Sequence, residues 1–201
     1  MAAVDTIDGL RAIIKEPPPA AFAKIRDRLC EQGVDFIARS PFLILSTLGS
    51  WGIEVSPKGD QPGFVHVVDR QTLLIPERKG NQFALGLCNI IEDQRVGLMM
   101  IRPATDEVLR ISGRASLDDD PELCARLSAD GKPATLVIRV KIDRAAFHCV
   151  RSARRAGLWN PETWDDSTRI SFGQIYAEAL RQPEMREVFD KLTETSNSTL
   201  Y

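Results

Sequence analysis

The hydrophobic positions between residues 42 and 142 fall in short, β-branched runs separated by turn residues, a pattern typical of antiparallel strands. In the last run, Leu136, Ile138, Val140 and Ile142 alternate with other residues, so one face of that strand is expected to be buried. The runs predict seven strands, at residues 42–48, 52–56, 63–69, 72–76, 95–101, 107–117 and 135–142. Seven strands joined by polar turns favour a closed or nearly closed barrel, which also removes exposed sheet edges.

Helical spacing appears before the strands, between them and after them. Phe22, Ile25 and Leu29 predict an amphipathic helix over residues 20–31, and a short turn is expected at residues 35–37. Three further helices are predicted, at residues 81–91, 121–129 and 172–195, the last broken at Pro183.

The two ends of the chain differ from its middle. Residues 1–19 end in three consecutive prolines and carry little periodic apolar character, which predicts an N-terminal arm. No linker or internal repeat divides the remainder, so residues 20–201 are expected to form one α+β domain with C-terminal helices.

Composition narrows the function classes. The 201 residues carry 26 Lys plus Arg against 28 Asp plus Glu, a net charge of -2, which argues against a general nucleic-acid binder. No apolar run approaches the roughly 18 residues of a membrane span, and no export leader is evident, so a cytoplasmic protein without membrane partners is expected. Four cysteines without a C-x-x-C pair and only two histidines predict free thiols and no metal site.

The first candidate for chemistry is the turn at residues 56–63, between two predicted strands. Ser56 offers a hydroxyl group and Lys58 a cation, while Gly59 and Gly63 permit unusual backbone angles. The segment is either an ordinary hairpin turn or part of a site that uses the lysine charge.

The second candidate is the pair Arg78-Lys79, which follows a predicted strand and precedes a predicted helix. A helix N-terminus favours anions because its first N–H groups lack partners and lie at the positive end of the dipole. Arginine matches phosphate oxygens with a planar fork, and lysine adds a mobile charge. The pair is therefore either a phosphate site or a solvated basic turn.

Two further arginine-bearing segments allow several interpretations. On the sixth predicted strand, Arg110 and Arg114 share a face and either line a polar groove, lie in a subunit interface or face water. After the last strand, residues 147–159 bring Arg155 and two other arginines close in sequence to Trp159. This segment either holds a flat anionic ligand, caps the barrel or docks a partner subunit.

Several motifs occur in an order that is similar to one known family. They lie at residues 42–47, 56–65, 72–81, 109–115 and 147–161. Together they resemble the pyridoxamine-phosphate-oxidase-like FMN-binding split barrels, specifically a bacterial branch described as FMN-dependent enzymes. The resemblance covers about residues 41–161 and implies a mainly antiparallel split β-barrel with peripheral helices.

The resemblance implies noncovalent FMN whose phosphate is held by Arg78 and Lys79, the residues that match the family's Arg-Lys pair. Ser56 and Lys58 are the nearest counterparts of the family's cofactor-facing strand. The chain departs from the true oxidases at Val108, where those enzymes carry a cofactor-contacting Gln, and their C-terminal substrate-phosphate Arg and His have no recognisable counterpart. Pyridoxamine phosphate is therefore not assigned as the substrate.

The same resemblance implies that the backbone near Ile75 and Pro76 lies along the edge of the isoalloxazine ring. Family members build each flavin site from two subunits, so a homodimer is expected. Arg155 and Trp159 are then candidate residues for the cofactor and its substrate side.

Two functions are consistent with this resemblance. The first is an FMN-dependent oxidoreductase that takes hydride from a small-molecule substrate or electron donor; the flavin does the chemistry, and no catalytic side chain is assigned. The alternative is a noncatalytic flavin-binding carrier or sensor.

Overall fold

A computed structural model describes residues 3–80, 82–149, 151–165 and 170–197, and all seven predicted strands are present within them. The strands are β1 (Phe42–Gly49), β2 (Gly52–Gly59), β3 (His66–Asp69), β4 (Thr72–Glu77), β5 (Arg95–Ile101), β6 (Glu107–Asp118) and β7 (Leu136–Cys149). They form one antiparallel sheet in the order β2, β1, β5, β6, β7, β4, β3. The last strand runs seven residues beyond its predicted end at residue 142, because it remains paired with β6 as far as Cys149.

The helices of the described residues lie around this sheet. They are α1 (Ile7–Ile13), α2 (Glu31–Ala38), α3 (Leu85–Glu92), α4 (Pro121–Arg126), α5 (Arg151–Arg155), α6 (Phe172–Leu180) and α7 (Arg186–Asn197), with 3-10 helices at Pro19–Lys24, Pro161–Thr163 and Pro183–Met185. The predicted break at Pro183 is confirmed, and Asn81, the predicted start of a helix, lies outside the described residues. No helix in the described part of the chain is long and apolar enough to cross a membrane.

The sheet is open between its two ends. Strand β3 pairs only with the first half of β4, through Thr72, Leu73 and Leu74, so the second half of β4 has a partner on the β7 side alone. Pro76 lies in that second half and has no N–H to offer a strand there. Strand β2 is the other end of the sheet. The closed or nearly closed barrel expected from the strand pattern is therefore a split one, and the fold class is confirmed as α+β: a mainly antiparallel split β-barrel with peripheral helices.

The core lies against one face of the sheet. In β7 the predicted alternation is confirmed, since Ile138 and Val140 are completely buried and Lys141 is exposed. Val137, expected on the wetter face, is also completely buried, because α4 packs a second apolar cluster against the start of β7. The long β6–β7 ladder thus has apolar packing on both faces at one end and on one face elsewhere.

The helix predicted over residues 20–31 is wrong. Residues 19–24 form a short 3-10 helix instead, and backbone hydrogen bonds join Arg26 to Ala145 of β7 in both directions, at 3.0 and 2.7 Å, so the chain around Arg26 pairs with the sheet. Of the three apolar residues that suggested a helix, only Leu29 is buried. The turn predicted at residues 35–37 is wrong as well, because these residues belong to α2, which buries Phe36 in the core.

The C-terminal helices α6 and α7 form a hairpin held by one carboxylate. Asp190 in α7 accepts hydrogen bonds from the Ser171 hydroxyl group at 2.9 Å and from the Gly173 N–H at 2.8 Å. Ser171 also caps α6 by accepting from the Gln174 N–H at 3.0 Å. Asp190 therefore fixes the start of α6 from the neighbouring helix.

Gly113 should be the least replaceable residue of the sheet interior. It is buried at the bulge between Ser112 and Gly113, and an added Cβ would overlap the carbonyl oxygen of Lys141 on β7. We expect Gly113→Ala to lower the free energy of unfolding by about 3 kcal/mol, measured by urea denaturation. At the control position Gly97 on β5, an added Cβ would meet Ser46 Cβ at an ordinary 3.8 Å, so Gly97→Ala should cost less than about 1 kcal/mol. Equal losses for the two variants would contradict this account.

Candidate functional site

A cavity of about 680 Å³ opens at the split in the barrel. Its walls are the end of β2, the end of β4, the loop that follows β4 and the first turn of α3. Five predicted site residues are among those that line it: Ser56, Lys58, Pro76, Arg78 and Lys79. The volume falls within the range of small-molecule sites, about 300–1,000 Å³.

An ion pair crosses the split inside this cavity. Lys58 Nζ of β2 lies 2.5 Å from Glu77 Oε2 of β4, and both side chains are more than four-fifths buried. These two strands do not pair through their backbones. The side chains therefore join β2 to the second half of β4, where no backbone hydrogen bonds connect the two strands.

Arg78 makes a second link at the same place. Its Nε donates to Asp60 Oδ2 at 2.7 Å, and its Nη1 donates to the carbonyl oxygen of Leu127 at 2.8 Å. Asp60 follows β2 and its side chain is 3% exposed, while Leu127 follows α4. The guanidinium group is thus held on two sides, and its remaining N–H groups form no hydrogen bond with another described residue, which leaves them to the cavity it lines.

Lys79 differs from its neighbour. It is exposed, lines the cavity and forms no ion pair with another described residue. Of the three cavity cations, it is therefore the one whose charge is not offset by a carboxylate in the described chain.

The first turn of α3 supplies backbone donors to the same cavity. Ala84, which precedes the helix, has a left-handed φ of 49° and gives no side-chain cap, and Leu85 and Gly86 line the cavity. The N–H of Leu87 donates to the Ala84 carbonyl oxygen at 2.9 Å, whereas the first N–H groups of the helix, those of Leu85 and Gly86, lie too early for a partner within it. Gly86 brings the helix close to β2, since a Cβ there would lie 3.4 Å from Ser56 Oγ. A hydroxyl group, backbone donors and Lys79 thus border one space.

Three predicted site residues do not line the cavity within this chain. Ile75 has a completely buried side chain in the core. Trp159 donates from Nε1 to the carbonyl oxygen of Thr105 at 3.2 Å, beside the loop between β5 and β6. Arg155 is exposed at the end of α5.

Sequence reasoning missed the carboxylates of the site. Asp60 and Glu77 each pair with a predicted cation 18 or 19 residues away along the chain. The available signal was an acidic residue close to a basic one at the end of each strand: Lys58 and Asp60 at the end of β2, and Glu77 beside Arg78 and Lys79 at the end of β4.

A second concave surface, the outer groove, lies on the opposite face of the sheet. It has a volume of about 650 Å³ and is lined mainly by apolar residues of β1, β5, β6 and β7, with Arg110, Arg144 and His148 on one side. Burial and the nearby Arg110 and Lys24 lower the pKa of His148 below its ordinary value. Val55 of β2 lines both the outer groove and the cavity. The two surfaces are therefore adjacent.

Fold and cavity together define a split-barrel protein with a cation-lined cavity of small-molecule size at the opening of the barrel. The sequence model for pyridoxamine 5'-phosphate oxidase matches residues 29–149, which is more than half of the chain. The chain belongs to the pyridoxamine 5'-phosphate oxidase family. No curated protein matches it. Among described residues, no three His, Cys, Asp or Glu side chains are grouped to hold a metal ion.

Solved structures similar to the chain are distant in sequence. HupZ from Group A Streptococcus is 14% identical, with a TM-score of 0.48 over 62% of this chain and 95% of that one. A protein related to general stress protein 26, of the pyridoxinephosphate oxidase family, from Clostridium acetobutylicum is 12% identical, with a TM-score of 0.44 over 58% and 84%. An FMN-binding protein from Syntrophomonas wolfei is 17% identical, with a TM-score of 0.42 over 57% and 80%.

Proposed function

We propose that this protein binds FMN noncovalently in the cavity at the split and acts as an FMN-dependent oxidoreductase. The observation that carries the proposal is the joint position of Lys79, Arg78 and the uncapped start of α3 on one cavity. A phosphate monoester carries a charge of about -2 and three acceptor oxygens, which such a group of donors matches. Family membership supports the same cofactor class.

The rest of the cavity suits the larger part of the cofactor. Leu45, Phe64, Leu87 and Leu136 give it apolar walls, and Pro76 lines it from the unpaired half of β4. Apolar walls with a few placed polar groups are typical of sites for planar organic ligands. We propose that the ring lies along Pro76 and the backbone of Ile75, with Ser56 and Lys58 on the facing strand.

FMN supplies hydride transfer when it is bound, and the protein binds, orients and shields it. The ion pair between Lys58 and Glu77 keeps two charged groups fixed at the wall of the cavity. Pre-placed charges of this kind need no rearrangement when the charge of a bound ligand changes. A small-molecule substrate or electron donor is expected to enter from the open side of the split.

We also propose a homodimer that completes this site. Val55 is 61% exposed and Ile53 is 71% exposed, and the outer groove adjoins them with further apolar side chains. Contiguous exposed apolar surface is characteristic of interfaces. A second copy seated on the outer groove would border the cavity next to Val55, and Arg155 and Trp159 are then candidates to reach the partner's cofactor.

Substitution of Lys79 should affect the binding of FMN but not that of riboflavin. We expect Lys79→Ala to weaken FMN binding about tenfold, because a charge-assisted contact is lost, and Arg78→Ala to weaken it by about tenfold to a hundredfold. Riboflavin, which lacks the phosphate, should bind both variants as it binds the wild type. Flavin fluorescence titration measures both ligands.

Lys141→Ala is the matched control, since Lys141 is exposed on β7 and does not line the cavity. It should leave both affinities unchanged. A wild type that takes up no flavin, or an equal effect of Lys79→Ala on FMN and riboflavin, would refute the proposed phosphate site.

The dimer can be tested by light scattering on the 22.4 kDa chain, for which twice that mass is expected. Val55→Glu places a charge in the apolar interface and should shift the protein towards monomer. Val68 on β3 is 56% exposed and lies outside the outer groove, so Val68→Glu should remain dimeric. A monomeric wild type would exclude a site shared between subunits.

The oxidoreductase proposal predicts that a donor reduces the bound flavin. FMN-loaded protein would be mixed anaerobically with NADH, NADPH and a panel of amines, and air would then be admitted. Loss of the visible flavin absorbance, followed by its return over repeated turnovers, is the expected result. A flavin that binds tightly yet stays oxidised with every donor would favour a carrier or sensor instead.

A further inference from the structure

We propose that Asp60 is a positioning residue that aims Arg78 at the phosphate of the ligand. The inference rests on the proposed FMN site and adds a residue to it. Asp60 does not itself line the cavity, whereas Arg78 does. Asp60 would therefore act on the ligand only through the guanidinium group.

A hydrogen bond to each of its two oxygens holds the Asp60 carboxylate in position. Oδ2 accepts from Arg78 Nε at 2.7 Å, and Oδ1 accepts from the backbone N–H of Gln61 at 2.7 Å. Its own N–H donates to the carbonyl oxygen of Pro41 at 3.1 Å, which ties the residue to the start of β1. With its side chain 3% exposed, Asp60 is buried and anchored to the backbone at two points.

The guanidinium group of Arg78 is held in position as well. Its Nε contacts Asp60 and its Nη1 contacts the Leu127 carbonyl oxygen, so the plane of the guanidinium group is defined by two partners from different elements. An arginine side chain has five N–H donors, and those not used here remain for a ligand. Holding the group in place before binding removes part of the entropy cost of ordering it.

A carboxylate near a phosphate is unfavourable unless it is paired. Asp60 carries a charge of the same sign as the ligand and does not line the cavity, so its contact with Arg78 is the route by which it can favour the ligand. The effect of removing Asp60 on FMN binding should therefore disappear when Arg78 is absent. A residue that only stabilises the fold would weaken FMN binding equally in both backgrounds.

The experiment compares FMN and riboflavin affinities in wild type, Asp60→Ala, Arg78→Ala and the double variant. In the wild-type background, Asp60→Ala should weaken FMN binding about tenfold and leave riboflavin unchanged. In the Arg78→Ala background, the same change should alter FMN affinity by less than about twofold, because the guanidinium group through which Asp60 acts is absent. Equal weakening in both backgrounds, or no change in either, would overturn the proposal.

Two further variants complete the experiment: one replaces Asp60→Ala if that variant does not fold, and the other is a control. Asp60→Asn keeps the shape but has one acceptor oxygen for two donors, so it should lower FMN affinity less than Asp60→Ala and in the same direction; it carries the test if Asp60→Ala does not fold. Asp93→Ala removes another carboxylate paired with an arginine, Arg95, outside the cavity and should leave the FMN-to-riboflavin ratio unchanged.

The outcomes separate this inference from the proposed function. If wild type binds FMN no better than riboflavin, the phosphate site and the role of Asp60 are both wrong. If wild type prefers FMN and loses that preference in Arg78→Ala but keeps it in both Asp60 variants, the role of Asp60 alone is wrong.

Discussion

Two ion pairs join β2, at one end of the sheet, to the half of β4 that has no partner strand on its open side, and the cavity exists because this closure is made by side chains. Lys58 with Glu77, and Asp60 with Arg78, span the gap between β2 and β4. Strand pairing there would bring the backbones within about 5 Å and leave no room for a ligand. The two side-chain pairs are longer than a backbone hydrogen bond and therefore keep β2 and β4 apart. Within each pair, the charges of the two side chains offset each other.

The strands of this fold could be predicted because each carries its own two-residue alternation, which is a local property of the sequence. The segment before them could not be predicted in the same way. Phe22 and Ile25 repeat at helical spacing, but hydrogen bonds between Arg26 and Ala145, far apart in sequence, decide its conformation. Tertiary pairing therefore outweighed the helix preference of this segment, which is weak because short isolated helices are only marginally stable.

The candidate site shows the same division between local and long-range information. Ser56, Lys58, Pro76, Arg78 and Lys79 lie on one cavity, as the motifs indicated, because two short segments carry them all. The pairing of cations with Asp60 and Glu77 depends on how the sheet curls and could not be derived from spacing. Whether Arg155 and Trp159 serve a neighbouring subunit is likewise a property of the assembly, which no single-chain pattern encodes.

The hairpin of α6 and α7 lies beyond the region matched by the family, and its main contacts are between its own two helices. Asp190 holds the start of α6 from α7 and the Tyr176 and Phe189 rings are in contact, whereas no strand is a main contact of either helix among the described residues, so the hairpin has few ties to the barrel interior. Its opening would cost less free energy than global unfolding. Amide hydrogen exchange should therefore divide the molecule into two cooperative units, a slowly exchanging barrel and a hairpin that exchanges faster.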